Sequence, residues 1–296
     1  MTIRPRRSML YMPGSNDRAM EKARSLPVDG VILDLEDSVA PDRKESARTT
    51  VCAAATARGY GSREVVIRVN GLDTPWGADD LAAVARSGAD AALVPKVSSP
   101  ADIFAAARAL ADAGAPERLR LWAMIETPLA VLDARAIAET ARDPASRLEV
   151  FVLGANDIAK DTRVRVAPGR AAILPWLSHA LLAARAYGVE ILDSVYNDIA
   201  DADGFRAECA QGAALGFDGK TLIHPSQIGP CNEAFAPDAA EVAWSRRVIA
   251  AFEDPAAADR GAISLDGRMV ERLHAVAARR VVALADAIAA REPASS

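Results

Sequence analysis

At 296 residues the chain exceeds an average domain, yet an α/β barrel routinely folds as one unit of roughly 250 residues, so length alone does not demand two domains. Hydrophobic residues make up 51% and aromatics 5%, an alanine-rich balance that suits helices packed on a sheet better than a β-sandwich. Thirty-five basic against 40 acidic residues leave a net charge of −5, which gives no general attraction for nucleic acid or an anionic membrane.

Cys52, Cys209 and Cys231 are odd in number and lack close metal-ligand spacing, the pattern of reduced thiols. No apolar run reaches the roughly 18 residues of a membrane span. The basic start from Met1 to Pro13 has no signal-peptide core behind it, and its Arg4, Arg6 and Arg7 read as a solvated tail. A soluble cytoplasmic protein is expected.

In chain order, Ser8 to Met12 is a short apolar run closed by Pro13-Gly14, and Ser15-Asn16 can cap a helix through Leu26. Val31 to Leu33 begins a second strand that delivers Asp34, Glu36 and Asp37 before Pro41 announces a helix to about Arg58. Glu64 to Asn70 is a third strand with its helix from Gly77 to Ser87. Ala91 to Lys96 is a fourth, followed by Ser99 and Pro100 as cap and first turn. Arg120 to Glu126 and Glu149 to Gly154 are apolar runs bounded by turn signals, the mark of buried strands. Thr127 then Pro128 reads as N-cap and first helical position. Arg170 to Tyr187 is helical, Val189 to Asp193 a seventh strand, Ala202 to Leu215 a helix, and Phe217 to His224 an eighth strand. Beyond them come a helix through Phe252, a small-residue linker from Pro255 to Gly261 and a final helix from Met269 to Ala290. Alternating strands and helices predict a (β/α)₈ TIM barrel over residues 1–235 and a C-terminal helical extension and lid over 236–296. A doubly wound open sheet is the alternative.

In a barrel the loops after the strands gather Glu36, Arg68, Lys96, Glu126, Asp157, Asp193 and His224 into one ring. Glu126 and Asp157, on neighbouring strand ends, are half of an octahedral magnesium site whose remaining waters a chelating 2-oxo acid can displace. The same two acids also fit a structural ion pair and a helix cap. Arg68 can hold a carboxylate or stabilise an oxyanion; it can equally pair with Asp34, Glu36 or Asp37. Nucleotide-binding glycine loops and a nucleophile elbow are missing from the sequence.

Seven blocks, Arg7-Ser-Met-Leu-Tyr-Met-Pro-Gly14, Asp34-Leu-Glu-Asp-Ser-Val-Ala-Pro41, Ile67-Arg-Val-Asn70, Val94-Pro-Lys96, Ile125-Glu-Thr-Pro128, Gly154-Ala-Asn-Asp157 and Ile223-His-Pro-Ser-Gln227, resemble the citrate lyase beta subunit family. That family includes malyl-CoA, methylmalyl-CoA and citramalyl-CoA lyases and is related to metal-dependent 2-oxo acid aldolases.

The resemblance implies a Mg2+-dependent barrel, with Mn2+ as a substitute. It would cleave a malyl-, citramalyl- or citryl-CoA type of 3-hydroxyacyl-CoA ester into acetyl-CoA, or a homologue, and a small 2-oxo acid. It places Glu126 and Asp157 as metal ligands, Arg68 as the substrate arginine, Tyr11, Met12 and Lys22 at the CoA ester, and Asn156, Ile223 and His224 at the substrate. It further implies a homotrimer or homohexamer in which the lid of one subunit closes the site of the next. The lid motif is Leu265-Asp-Gly-Arg-Met-Val-Glu271, whose last position is Asp in the family; Glu271 or Asp266 would be the catalytic proton carrier. Asn156 is a second departure, since the family commonly places Glu or Ala there. A malyl-CoA-type thioesterase and a beta subunit acting only on an acyl-carrier protein inside a multi-subunit citrate lyase are the alternatives.

Overall fold

Eight of the apolar runs form parallel strands that close on themselves in the computed structural model, which describes residues 3–254 and 260–291. They are β1 (Ser8–Pro13), β2 (Gly30–Asp34), β3 (Glu64–Arg68), β4 (Ala91–Val94), β5 (Arg120–Ile125), β6 (Leu148–Leu153), β7 (Glu190–Asp193) and β8 (Gly219–Leu222). Each pairs with its successor, and Met9 of β1 lies opposite Thr221 of β8. The sheet is therefore a barrel, and the open-sheet alternative falls.

Helices α1 (Asp17–Ala23), α2 (Lys44–Thr56), α3 (Gly77–Ala85) and α4 (Pro100–Asp112) follow the first four strands. The chain then forms α5 (Pro128–Leu132), α6 (Ala134–Glu139), α7 (Ala155–Thr162), α8 (Leu174–Tyr187), α9 (Ala202–Leu215) and α10 (Ile228–Ala234). Local signals act as expected at the starts: the Asn16 side chain accepts from the Ala19 N–H at 3.0 Å, and the Thr127 hydroxyl accepts from the Ala130 N–H at 3.0 Å ahead of Pro128.

Strand alternation sorts side chains into two cores. Met9, Ile32, Val66, Leu93, Trp122, Met124, Val150, Val152 and Leu192 fill the barrel interior. Their neighbours, among them Leu10, Met12, Leu33, Ile67, Val94, Ile125, Leu153 and Leu222, pack against the helices. Arg6 and Arg7 are not a solvated tail. Arg6, 4% exposed, donates Nε to Glu64 Oε2 at 2.7 Å, reaches Glu190 at 2.6 Å and Glu149 at 3.0 Å, and stacks over Trp122 at 5.0 Å. Arg7 clasps Asp29 through Nε and Nη2, both at 2.9 Å. Buried charges survive when paired, and these partners come from sequence positions no local pattern links.

Residues Arg6–Phe235 form one compact unit, and Met1–Pro5 with Ala236–Ser296 form a second. The second contains α11 (Ala239–Glu253), β9 (Ala262–Leu265), β10 (Arg268–Glu271) and α12 (Arg272–Ala289), joined by a core of Val248, Phe252, Val270, Ala275 and Ala278. Residues 255–259 of the expected linker lie outside the described residues. The expected helix start at Met269 is a correction: Met269 to Glu271 is strand, antiparallel to β9. Asp266 and Gly267 take φ of 52° and 75°, the backbone of a tight hairpin turn that favours Asp-Gly. Valine at Gly267 is expected to cost this hairpin about 1–2 kcal/mol, because a β-branched residue resists positive φ. Faster amide exchange at Ile263 and Val270 would report the loss, and unchanged protection would contradict it.

Candidate active site

A cavity of about 390 Å³ opens at the carboxyl ends of the strands. It is lined by Tyr11 from β1, Asp34 from β2, Arg68 from β3, Met124 and Glu126 from β5 and its exit, and Gly154 to Asp157 from the β6–α7 junction. Pro13, Asp37 and Ser38 on one side and Leu153, Val195, Asn197, Thr221 and Ile223 on the other complete the lining. The inward parity of each strand explains the set: residues two positions past an interior side chain, such as Glu126 after Met124, emerge at the mouth.

Glu126 is 1% exposed, and its Oε1 accepts the Lys96 N–H at 2.7 Å. Lys96 reaches it from a left-handed backbone, φ 54°, so strain at Lys96 is spent on aiming an amide at this carboxylate. Gly154 lies alongside: a Cβ there would come within 2.4 Å of Glu126 Cβ and 2.6 Å of Oε2. The glycine is required so that the carboxylate fits. Burial pushes the Glu126 pKa up to about 7; the Lys96 amide opposes the rise, and repulsion from Glu36 and Asp157 adds to it. Asp157 sits in the first turn of α7 with its side chain 25% exposed.

Arg68 is gripped from below. Its Nε and Nη2 donate to Asp34 at 2.6 and 2.8 Å, a bidentate pair. Nη1 lies 2.8 Å from Glu36 Oε2, a charge contact without hydrogen-bond alignment, and Glu36 Oε1 takes the Lys96 ammonium at 2.8 Å. The guanidinium also stacks on Tyr11 at 4.9 Å. Asp34 is held below the usual carboxylate range: burial works against this, and the Arg68 charge and hydrogen bonds prevail. Burial pushes the Tyr11 phenol up, so it stays neutral.

Among the described lining residues four carboxylates, Asp34, Asp37, Glu126 and Asp157, face one guanidinium, Arg68. That surplus of negative charge fits a divalent ion: among the described residues Glu126 has no ion pair with a lysine or arginine, and Asp157 meets only the exposed Lys160 ammonium, at 3.5 Å. No cluster of three or more His, Cys, Asp or Glu residues able to hold a metal occurs among the described residues. Two carboxylates plus water and substrate oxygens suit magnesium.

Not every expected residue reaches the cavity. Met12, Asp193 and His224 have outward parity: Met12 packs in the helix-facing core, and His224 Nδ1 turns to Ser226 Oγ at 2.7 Å. Lys22 is exposed in the last turn of α1. Asp193 is fully buried among Arg170 Nη1 at 2.7 Å, Lys220 Nζ at 3.1 Å and, through Lys220, Glu208 at 2.7 Å. In the second unit Asp266 pairs with Arg247, and the Glu271 N–H donates to His274 Nδ1 at 2.9 Å at the start of α12. Gly154, Val195, Asn197 and Thr221 were not singled out as site residues by the sequence; Gly154 was visible as the close of a strand, the other three carry no local signal.

Because proton and cation compete for Glu126, cation affinity is expected to weaken about tenfold per pH unit below about 7 and to level off above it. Calorimetric Mg2+ titrations at pH 6 and 8 test this; a dissociation constant unchanged between them would contradict it.

A closed parallel barrel with two acids and a clamped arginine at its carboxyl mouth is an arrangement able to hold a divalent cation beside a small anionic ligand. The chain belongs to the HpcH/HpaI aldolase/citrate lyase family, which matches residues 7–225, and so to a family of carbon–carbon lyases that includes CoA ester enzymes. It is 49% identical over 286 residues to a (3S)-malyl-CoA thioesterase of Cereibacter sphaeroides, covering 97% of this chain and 96% of the relative. It is 37% identical over 294 residues to the citrate lyase beta subunit of Escherichia coli strain K12, covering 98% and 96%. Among solved structures, the protein CitE of Mycobacterium tuberculosis, in complex with magnesium, acetoacetate and coenzyme A, superimposes with a TM-score of 0.74 at 31% identity, covering 94% of this chain and 97% of that one. No helix among the described residues is long and apolar enough to cross a membrane.

Proposed function

We propose that the chain is a magnesium-dependent enzyme acting on a malyl-CoA-type 3-hydroxyacyl-CoA, and that it hydrolyses the thioester. The observation that carries the reading is the convergence of Glu126, Asp157 and Arg68 on one cavity of about 390 Å³, a size that suits a small acid and the end of a thioester arm. Hydrolysis is favoured over carbon–carbon cleavage by the 49% identity to a malyl-CoA thioesterase against 37% to a citrate lyase beta subunit.

Glu126 and Asp157 hold the cation. When bound, magnesium supplies Lewis-acid polarisation to the oxygens of the hydroxy acid it chelates. Arg68, locked by Asp34 and Glu36, offers its remaining N–H groups to negative charge that develops on oxygen. Tyr11 stays protonated and donates. Water would add to the thioester carbonyl carbon as the C–S bond breaks, with Glu271 or Asp266 of a neighbouring copy taking the proton from that water and passing it to the departing CoA sulfur. Met269, Leu273 and Val276, 73%, 62% and 71% exposed, give that hairpin and helix an apolar face with which to close a neighbour's cavity in a homotrimer or homohexamer.

Carbon–carbon cleavage is the second reading, supported by the family and by the metal pair, which would equally grip the 2-oxo acid released. Purified protein incubated with (3S)-malyl-CoA and Mg2+ separates the two. Free CoA with malate is expected; acetyl-CoA with glyoxylate would replace hydrolysis by lyase activity, and no turnover of any malyl-type ester would remove both.

A further inference from the structure

A second cavity of about 490 Å³ adjoins the first. The two share Ala155, Asn156, Val195 and Asn197, which therefore form a common wall. Asn156 Nδ2 donates to Asn197 Oδ1 at 3.2 Å, and Asn197 Nδ2 donates back to Asn156 Oδ1 at 2.7 Å. This reciprocal amide pair ties the first turn of α7, which carries Asp157, to the loop between β7 and α9. Both side chains are exposed at the rim, where hydrogen bonds exchange with water at little net cost. The wall can part.

Beyond it the small residues Ala167, Gly169, Gly204 and Ala207 line the space together with the larger Val166, Ile173 and Tyr196. The charged lining is one guanidinium against three carboxylates. Arg170 and Lys220 are neutralised by Asp193 and Glu208, at 2.7 Å each for the Arg170–Asp193 and Lys220–Glu208 pairs, so the surplus negative charge of the lining is that of Asp198 and Asp201.

We propose that Asn197 is a specificity-determining residue. Paired with Asn156, it limits the length of the group carried by the acid held between Glu126, Asp157 and Arg68. The second cavity is the space into which a longer group extends once the pair is lost. Its surplus of carboxylates sets the class of that group: a neutral alkyl chain enters, and a second carboxylate is repelled. The inference rests on the function proposed above.

The test is calorimetric binding of pyruvate, 2-oxopentanoate and 2-oxoglutarate, with Mg2+ present, to the full chain and to Asn197→Ala. Because Asn197 is exposed on a loop, the variant should melt with the wild type. In the variant, 2-oxopentanoate is expected to bind about tenfold tighter than in the wild type, the scale that two methylenes in an apolar space allow. Pyruvate affinity should stay within about threefold, and 2-oxoglutarate should gain less than that. A uniform shift for all three acids, no shift, or an equal gain for 2-oxoglutarate would overturn the inference and leave the function standing. Absence of Mg2+-dependent binding of any 2-oxo acid to the wild type would overturn the inference together with the acid-binding role of Glu126, Asp157 and Arg68 on which it rests.

Discussion

Replacing Glu126 by glutamine will lower kcat/KM by about a thousandfold, the scale on which losing one stabiliser of developing charge is felt. The substitution keeps the shape and the acceptor that meets the Lys96 amide, so folding survives. Stability should move the other way from activity. In the metal-free protein the carboxyl titrates near 7 instead of its ordinary 4.5. The folded state then holds a proton that the unfolded chain has released. Stability therefore falls as pH rises from about 4.5 through about 7 and stays lower above. Glutamine removes that slope. A variant that keeps wild-type turnover, or that melts lower than the metal-free wild type at pH 8, would refute the role given to Glu126.

Lys220→Met will destabilise the barrel by about 3–5 kcal/mol, because it removes one partner of a buried ion pair and leaves the other behind. Lys220 and Asp193 are both fully buried, and their side chains meet at 3.1 Å in the layer between the last strands and α9. Burial works to raise Asp193 and to lower Lys220, and their mutual attraction, with Arg170 and Glu208, overrides it: Asp193 is lowered and Lys220 raised. Urea denaturation measures the loss directly. A cost below about 1 kcal/mol, the worth of an exposed pair, would show that the cluster is hydrated.

Much of this architecture is written locally. The runs ending at Glu126 and Gly154, each followed by a helix start, are enough to put two acids on adjacent strand exits, and the alternation of strand and helix gives the barrel. What local pattern does not supply is parity across a strand end. Asp193 and His224 look like site residues because they close apolar runs, yet Leu192 and Ile223 take the inward positions and turn them outward. Met12 follows the same rule behind Tyr11. The basic start misleads for a different reason: the partners of Arg6 are Glu64, Glu149 and Glu190, and only barrel closure brings them together. The hairpin in the C-terminal unit was legible, since Asp266-Gly267 sits between alternating residues, but the helical period of the following segment masks it. Asn197 has no sequence signal at all; its importance comes from a contact made across 41 positions.

The paired carboxylates carry the whole account, and Mn2+ binding followed by electron paramagnetic resonance tests them most directly. One ion per chain should bind to the wild type at pH 8, with affinity reduced at least tenfold in both Glu126→Gln and Asp157→Asn. Equal binding by the wild type and both variants would place the cation elsewhere and contradict the site described here.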